Sequence, residues 1–279
     1  MNITVLIENL GPDTLACEHG LSLHIDHRGR SILLDTGSSG AFAANASTLG
    51  IDLSGVEYAV LSHGHYDHAD GLRAFFAAND RTPMLVRKGA LGAYYSMRGG
   101  SEPRFVGIHR DICRDYAGRL TEVDGLYALC EGAWLVPNPA PESSADRAQH
   151  LYKKVGEDNF MEDDFSHEHS LVLEGEDGLV IFNSCCHAGA ANIAAHVASL
   201  FPGKPIAALL GGFHMMGATG TDSINCSADY VKSAANQFKQ LNIGRIYTGH
   251  CTGTPAFDLL KIHLGDRLAY MQTGDRIAL

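Results

Sequence analysis

The sequence predicts an α/β fold on three observations. Short apolar runs rich in β-branched residues alternate with helical stretches along most of the chain, the pattern of layered strands and helices. The 279 residues are 45% hydrophobic and 19% charged, a balance that can bury a sizeable core. Several runs also end at a histidine flanked by glycine or small residues: Ser184-Cys185-Cys186-His187-Ala188-Gly189, Gly211-Gly212-Phe213-His214 and Thr248-Gly249-His250-Cys251. Loops at strand ends are where a rigid scaffold presents functional side chains.

In chain order, Asn2–Ile7 and Leu21–Asp26 read as strands, and Ser31–Leu34 is a third that ends in Asp35-Thr36-Gly37. The alanine-rich residues 40–49 read as a helix closed by Gly50, glycine being the common residue just past a helix end. Residues 56–61 form a buried strand, 69–79 a helix and Met84–Val86 a strand. Residues 88–165 are less regular. Within them, Tyr94–Gly100 and Pro137–Glu142 read as loops, Phe105–Ile108 and Leu126–Val136 as strands, and Glu157–Asp164 as a solvated acidic run. Leu171–Glu174 and Leu179–Asn183 flank Gly175-Glu176-Asp177-Gly178, a hairpin signal. A helix to Leu200, a strand Ile206–Leu210, a helix around 224–241 and a strand Arg245–Tyr247 follow. The expected organisation is a single domain over 1–279 with a substrate-side insertion at about 88–165. Long irregular segments beside a site often act as lids or walls, so Tyr94, Tyr95 and Arg98 are candidates to bind an anionic or aromatic part of a ligand.

The net charge of −11 argues against a nucleic-acid groove, because phosphate backbones need clustered Lys and Arg. It leaves room for a small anionic substrate held by metal. The opening Met1-Asn2-Ile3-Thr4-Val5-Leu6-Ile7 lacks the basic lead and cleavage site of a signal peptide, and no run reaches the length of a membrane span. The seven cysteines are scattered and odd in number, which suits reduced thiols. The expectation is a cytoplasmic protein with a small-molecule partner and no nucleic acid or membrane. The oligomeric state stays open.

The densest chemistry lies in Leu61-Ser62-His63-Gly64-His65-Tyr66-Asp67-His68-Ala69-Asp70-Gly71-Leu72. Imidazole nitrogen and carboxylate oxygen are common ligands for zinc and iron. Alternate placement aims His63 and His65 at one centre, and the turn swings Asp67 and His68 toward a second. Two metals need about twice the protein ligands of one, and the strand-end residues His187, His214 and His250, with Cys185, Cys186 and Cys251 nearby, are available to complete them.

This HxHxDH stretch followed by Ala-Asp-Gly-Leu resembles the metal-binding signature of the metallo-β-lactamase superfamily. Together with CCHAGAANI, GGFHMMG and GHCTG, it is similar to the 7,8-dihydropterin-6-methyl-4-(β-D-ribofuranosyl)aminobenzene-5′-phosphate synthase-like family. The resemblance covers roughly residues 1–75 and 165–255. It implies a four-layer αββα sandwich with the site at one edge of the paired sheets, a binuclear centre, and an aspartate at position 35 that hydrogen-bonds around the metal loop. His63, His65 and His187 are assigned to one metal, and Asp67, His68 and His250 to the other. Asp67 is also taken as a catalytic residue, and His214 as a substrate contact or proton donor. The sequence departs from the superfamily where Asn183-Ser184-Cys185-Cys186-His187 replaces the usual Thr-Gly-Asp. Cys185 or His187 can supply the missing donor, with His187 preferred, and His167, His169 or Glu168 is open as the usual middle ligand. His19, His24, His27, His109, His150, His196 and His263 are expected on the surface or on helix faces.

The expected cofactors are two divalent ions, zinc first, with iron or manganese as alternatives. The expected activity is hydrolysis of a small phosphoester, lactone or thioester. The alternatives are a synthase that condenses a dihydropterin with an aminobenzene ribosyl phosphate, and a non-catalytic ligand sensor on the same fold. The expected substrate is a small molecule, phosphorylated or pterin-like.

Overall fold

The computed structural model describes residues 1–97, 102–141, 150–157 and 159–279. The chain divides into two compact units. The first takes Met1–Asp124, Gln149–Glu168 and Thr273–Ala278, and the second takes Gly125–Ala148 and His169–Gln272.

The first unit holds a seven-stranded sheet in the order Arg276–Ala278, Asn2–Ile7, Ser22–His27, Arg30–Leu34, Tyr58–Leu61, Met84–Arg87, Leu120–Val123. Pairing is antiparallel as far as Arg30–Leu34 and parallel beyond it. Parallel neighbours need crossover connections. Helices Ala41–Thr48 and Leu72–Ala78 supply two of them, and their Phe42, Ala46, Leu72, Phe75 and Phe76 pack in one core with Leu33, Ala59, Leu61 and Met84. The two inner parallel strands, Tyr58–Leu61 and Met84–Arg87, have three buried residues of four each, which is why they read as apolar runs rather than as alternation.

The second unit repeats the arrangement with a different order of strands. Its seven-stranded sheet runs Leu268–Tyr270, Arg245–Thr248, Ile206–Gly211, Leu179–Phe182, His169–Glu174, Ala133–Pro137, Tyr127–Cys130. The first four strands are parallel, and the rest pair antiparallel. Helices Ala190–Leu200, Ala228–Gln240 and Thr254–Leu264 complete the unit. In the second of these, Ser227 caps the start by accepting the Tyr230 N–H (3.1 Å). Val231, Ala234, Ala235 and Phe238 then fall at the spacing of one helical face and are buried.

Differences from the sequence expectations lie mainly in residues 88–165. Tyr94–Ser96, read as loop, is a strand in a four-stranded antiparallel sheet with Arg104–Phe105, Leu151–Lys154 and Phe160–Glu162. Tyr95 packs edge-on against Phe105 and Phe160 there, and such cross-strand aromatic pairs stabilise a small sheet. Leu126–Val136 is two strands, Tyr127–Cys130 and Ala133–Pro137, folded back on each other around Glu131-Gly132. The helix expected over 69–79 is broken. Asp70 N–H closes the turn Tyr66–Ala69 by bonding to Tyr66 O, whereas Gly71 N–H leaves the helical path for Gly37 O. Arg98 and Glu142 lie outside the described residues. No helix among the described residues is long and apolar enough to cross a membrane.

Candidate functional site

In the first unit the site grows from two neighbouring parallel strands, Arg30–Leu34 and Tyr58–Leu61. Asp35 follows the first strand in a left-handed conformation (φ 60°), which Asp and Asn tolerate better than most residues. Its N–H bonds to Val60 O (2.9 Å), and its fully buried carboxylate reaches the loop after the second strand. Oδ1 accepts the Ser62 N–H (2.7 Å), and Oδ2 accepts both the Ser62 hydroxyl and His68 Nδ1, each at 2.8 Å.

Ser62 has one hydroxyl hydrogen, which it gives to Asp35. The contact of Ser62 Oγ with His63 Nδ1 (2.9 Å) therefore has the imidazole as donor. One carboxylate thus sets both His63 and His68 as Nδ1–H tautomers, so that Nε2 is the unprotonated nitrogen of each ring. The expected role of Asp35, hydrogen bonding around the loop, has this geometry.

The loop donors cluster. The His63 ring centroid is 4.6 Å from that of His65 and 4.4 Å from that of His68, and Asp67 Oδ2 lies 3.6 Å from His68 Nε2. Burial, reinforced by the neighbouring His68, His65 and His167 rings, pushes His63 well below the usual imidazole range. Burial and then His167 lower His65 to about 4. Both rings are therefore neutral near pH 7, the form that binds metal. Gly64 lets the loop pass the Ala90 carbonyl, which an added Cβ would overlap.

His167, one of the open candidates for a middle ligand, takes a different position. Its Nδ1 accepts the Gly64 N–H (3.1 Å), so Nε2 carries the hydrogen and donates to Asp163 Oδ2 (3.1 Å). Both nitrogens are engaged by the protein, and the residue braces the metal loop from behind. Asp163 belongs to the run read as solvated but is 7% exposed. Burial opposes its ionisation. The His167 hydrogen bond and charge, His65 and the Phe165 N–H outweigh that and hold its carboxyl below the ordinary range. His65, Asp163 and His167 bring one ligand atom each within 4.8 Å of one another. Tyr94 stacks on His167 (centroids 4.0 Å) and gives its hydroxyl to Gly89 O (2.7 Å), so it supports the loop from the protein side.

Sequence reasoning placed His19 among surface histidines. It is partly exposed, yet its Nε2 lies 3.2 Å from Asp67 Oδ2, and no spacing signal marks it. His24 and His27 are buried in strand Ser22–His27, with His24 Nε2 2.8 Å from Ser31 Oγ. His109 fits the surface expectation and pairs with Asp70 (2.6 Å).

In the second unit the three strand-end histidines stand at the C-terminal ends of adjacent parallel strands, Leu179–Phe182, Ile206–Gly211 and Arg245–Thr248. Such ends are the usual place for ligands on an open α/β sheet. The strands approach closely there. Gly211 has φ 141° and an added Cβ would overlap the Asn183 carbonyl. Asn183 Oδ1 accepts the Cys186 N–H (2.6 Å) and so shapes the Cys185-Cys186-His187 turn. His187 and His250 are buried, and His214 is half-buried with its ring 4.3 Å from that of His187. His214 and His250 both have positive φ, 50° and 47°. Non-glycine residues held there are strained, a feature common at functional sites.

These features have a family counterpart. Residues 16–151 match the model of the metallo-beta-lactamase superfamily. The match covers just under half of the chain. It is similar to uncharacterized protein MJ0448 of Methanocaldococcus jannaschii, 24% identical over 284 residues and covering 99% of this chain and 100% of the relative. It is also similar to that organism's 7,8-dihydropterin-6-methyl-4-(beta-D-ribofuranosyl)-aminobenzene-5′-phosphate synthase, 24% identical over 255 residues, 86% of this chain and 82% of the relative. Among solved structures, Tm1679, a metal-dependent hydrolase of the beta-lactamase superfamily, matches with a TM-score of 0.82 at 28% identity, over 100% of this chain and 99% of that one. The α/β fold class expected from the sequence, of the metallo-β-lactamase type, is the one the chain has.

Proposed function

We propose that the chain is a metal-dependent hydrolase that activates water against a small phosphoester, lactone or thioester. The single observation that carries this reading is the Asp35 hub. It fixes His63 and His68 as donors through Nε2, beside the neutral His65 and the carboxylate of Asp67. Imidazole nitrogen with carboxylate oxygen suits zinc, iron or manganese, so the donor set fits two divalent ions, zinc first. In this reading His63, His65 and His187 serve one ion, and Asp67, His68 and His250 serve the other. When bound, such ions lower the pKa of water and offset negative charge on a substrate oxygen.

The chain's own side chains do the rest. Asp35 and Ser62 hold two imidazoles in their tautomers, and the His167–Asp163 pair keeps the Gly64 backbone in place. His214 contacts the substrate or gives a proton to the leaving group. Its partial exposure next to buried His187 supports that assignment.

The test is elemental analysis of protein purified without added metal or chelator, followed by a screen of phosphodiesters, lactones and thioesters. About two equivalents of metal are expected, and Asp67→Ala should abolish turnover while circular dichroism stays unchanged. Undiminished turnover in that variant would sink the assignment.

A second reading is favoured by the likeness to the dihydropterin synthase over most of both chains. Here the same residues position a pterin and a phosphorylated partner for condensation. Mass spectrometry of a reaction containing a dihydropterin and an aminobenzene ribosyl phosphate separates the two readings. A condensed product supports the synthase, and its absence alongside ester or lactone hydrolysis supports the hydrolase.

A further inference from the structure

Apart from the histidine-rich loop, the second unit brings together a different donor set. We infer that Cys185, His214 and Cys251 bind a thiophilic cation, Zn²⁺ or Cu⁺. Their ligand atoms, two Sγ and one imidazole nitrogen, all lie within 4.8 Å of one another. The three residues follow three adjacent parallel strands, Leu179–Phe182, Ile206–Gly211 and Arg245–Thr248. All are presented from one end of that sheet. Both cysteines are buried and neither is in a disulfide.

The donor types decide the class of ion. Sulfur with imidazole selects zinc or cuprous ion over magnesium, calcium or manganese. Two thiolates about 2.3 Å from a tetrahedral ion sit about 3.8 Å apart, so a side-chain movement of about 1 Å at most closes the set. The backbone is already held for it. Cys251 O accepts the N–H groups of both Met215 and Met216 (2.9 Å each), and Phe213 N–H bonds to Thr252 Oγ1 (2.9 Å). These bonds tie the His214 segment to the Cys251 turn. His214 N–H points at Cys251 Sγ (3.2 Å), which keeps that sulfur beside the His214 segment. Binding releases two thiol protons to solvent and forms two metal–sulfur bonds, with no change of oxidation state. Three protein ligands leave one tetrahedral position open for water or substrate. An imidazole has two nitrogens, so ligation through one leaves the other for the substrate contact assigned to His214 above.

The test uses the full chain, reduced, stripped of metal and titrated with Co²⁺ as a stand-in for zinc. Wild type is expected to show near-ultraviolet thiolate-to-cobalt charge transfer, with about half the intensity in Cys251→Ser because one of two sulfur ligands is lost. His214→Gln should keep the band but need more cobalt to saturate it. A band that survives Cys251→Ser at full intensity would overturn the site, as would its absence from wild type.

A measurement on the unaltered protein guards against misfolded variants. Bound Zn²⁺, or Cu⁺ under anaerobic conditions, should protect Cys185 and Cys251 together from alkylation, as mapped by mass spectrometry. Exposed Cys17 serves as the unprotected reference. Equal alkylation with and without the ion refutes the proposal. Protection by one ion and not the other identifies which is bound. Protection of Cys185 without Cys251 would also refute the proposal, because Cys185 lies within 4.8 Å of the ligand atoms of His187 and of His250 as well.

Discussion

Replacing Asp35 with Asn is the most informative single change, because it alters chemistry and leaves shape alone. Asn tolerates the left-handed backbone at φ 60° as Asp does, and the two side chains have nearly equal volume. The carboxylate accepts three bonds, at 2.7, 2.8 and 2.8 Å, whereas the amide presents one acceptor and one donor face. With its oxygen toward the Ser62 N–H, its NH₂ faces the Ser62 hydroxyl and His68 Nδ1. The hydroxyl must then turn its hydrogen toward His63 Nδ1, and both imidazoles change to the Nε2–H form. Both ligating lone pairs are lost unless the rings rearrange. Loss of such an orienting partner typically costs 10–100-fold in metal affinity, or about 1.4–2.7 kcal/mol. The opposed donors should cost about 1–3 kcal/mol of stability. Competition with a chromophoric chelator measures the affinity, and long-range proton–nitrogen NMR correlations read the tautomers in the metal-free protein. Wild-type affinity together with unchanged tautomers would refute the reasoning.

Gly64→Ala should destabilise the fold by about 1–3 kcal/mol through overpacking against the Ala90 carbonyl, and a urea midpoint equal to wild type would contradict it. Asp163→Ala leaves the His167 Nε2–H and the Phe165 N–H (2.9 Å) without their buried acceptor. A loss of about 2–4 kcal/mol is expected, and less than about 0.5 kcal/mol would show that the brace is unimportant. The metal-free protein should lose stability in acid because of His65. Its folded value is about 4 against 6.5 for the ordinary side chain, so the unfolded chain takes up a proton that the native state refuses. The contribution is complete above pH 6.5 and falls as pH drops below that value, and the loss amounts to about 3 kcal/mol by pH 4. Denaturant melts of wild type and His65→Gln across this window test it, since the variant should have a shallower slope.

Residues that act through local spacing were legible in the sequence. The His63-to-His68 cluster and Asp35 could be read because each follows a short apolar strand, and period and turn chemistry locate strand ends well. The strand-end histidines His187, His214 and His250 were found the same way. What escaped depends on contacts between distant segments. Asp163 sits between Glu162 and Asp164 and reads as solvated charge, although its spacing of four residues from His167 was a usable hint. His19 meets Asp67 across 48 positions of chain, and nothing in its neighbours announces that. Strand Leu151–Lys154 is half-buried at every residue, so it shows no alternation. Tyr94–Ser96 was hidden by the glycines after it, although two adjacent tyrosines are a strand signal.

In the proposed binuclear centre, the Asp35 hub would make the two ion sites thermodynamically dependent on each other. Ser62, which carries the hydrogen bond of His63, and His68 both terminate on the same oxygen, Oδ2, while the proposal gives His63 and His68 to different ions. An ion on His63 makes its Nδ1–H more acidic and strengthens the chain through Ser62. That polarises the oxygen on which His68 relies for its own basicity. Each occupancy then weakens the other's imidazole as a donor, so stepwise loading is expected to show negative cooperativity. A titration with two equal, independent sites would exclude it. Loading of the second ion would then need a higher metal concentration than loading of the first.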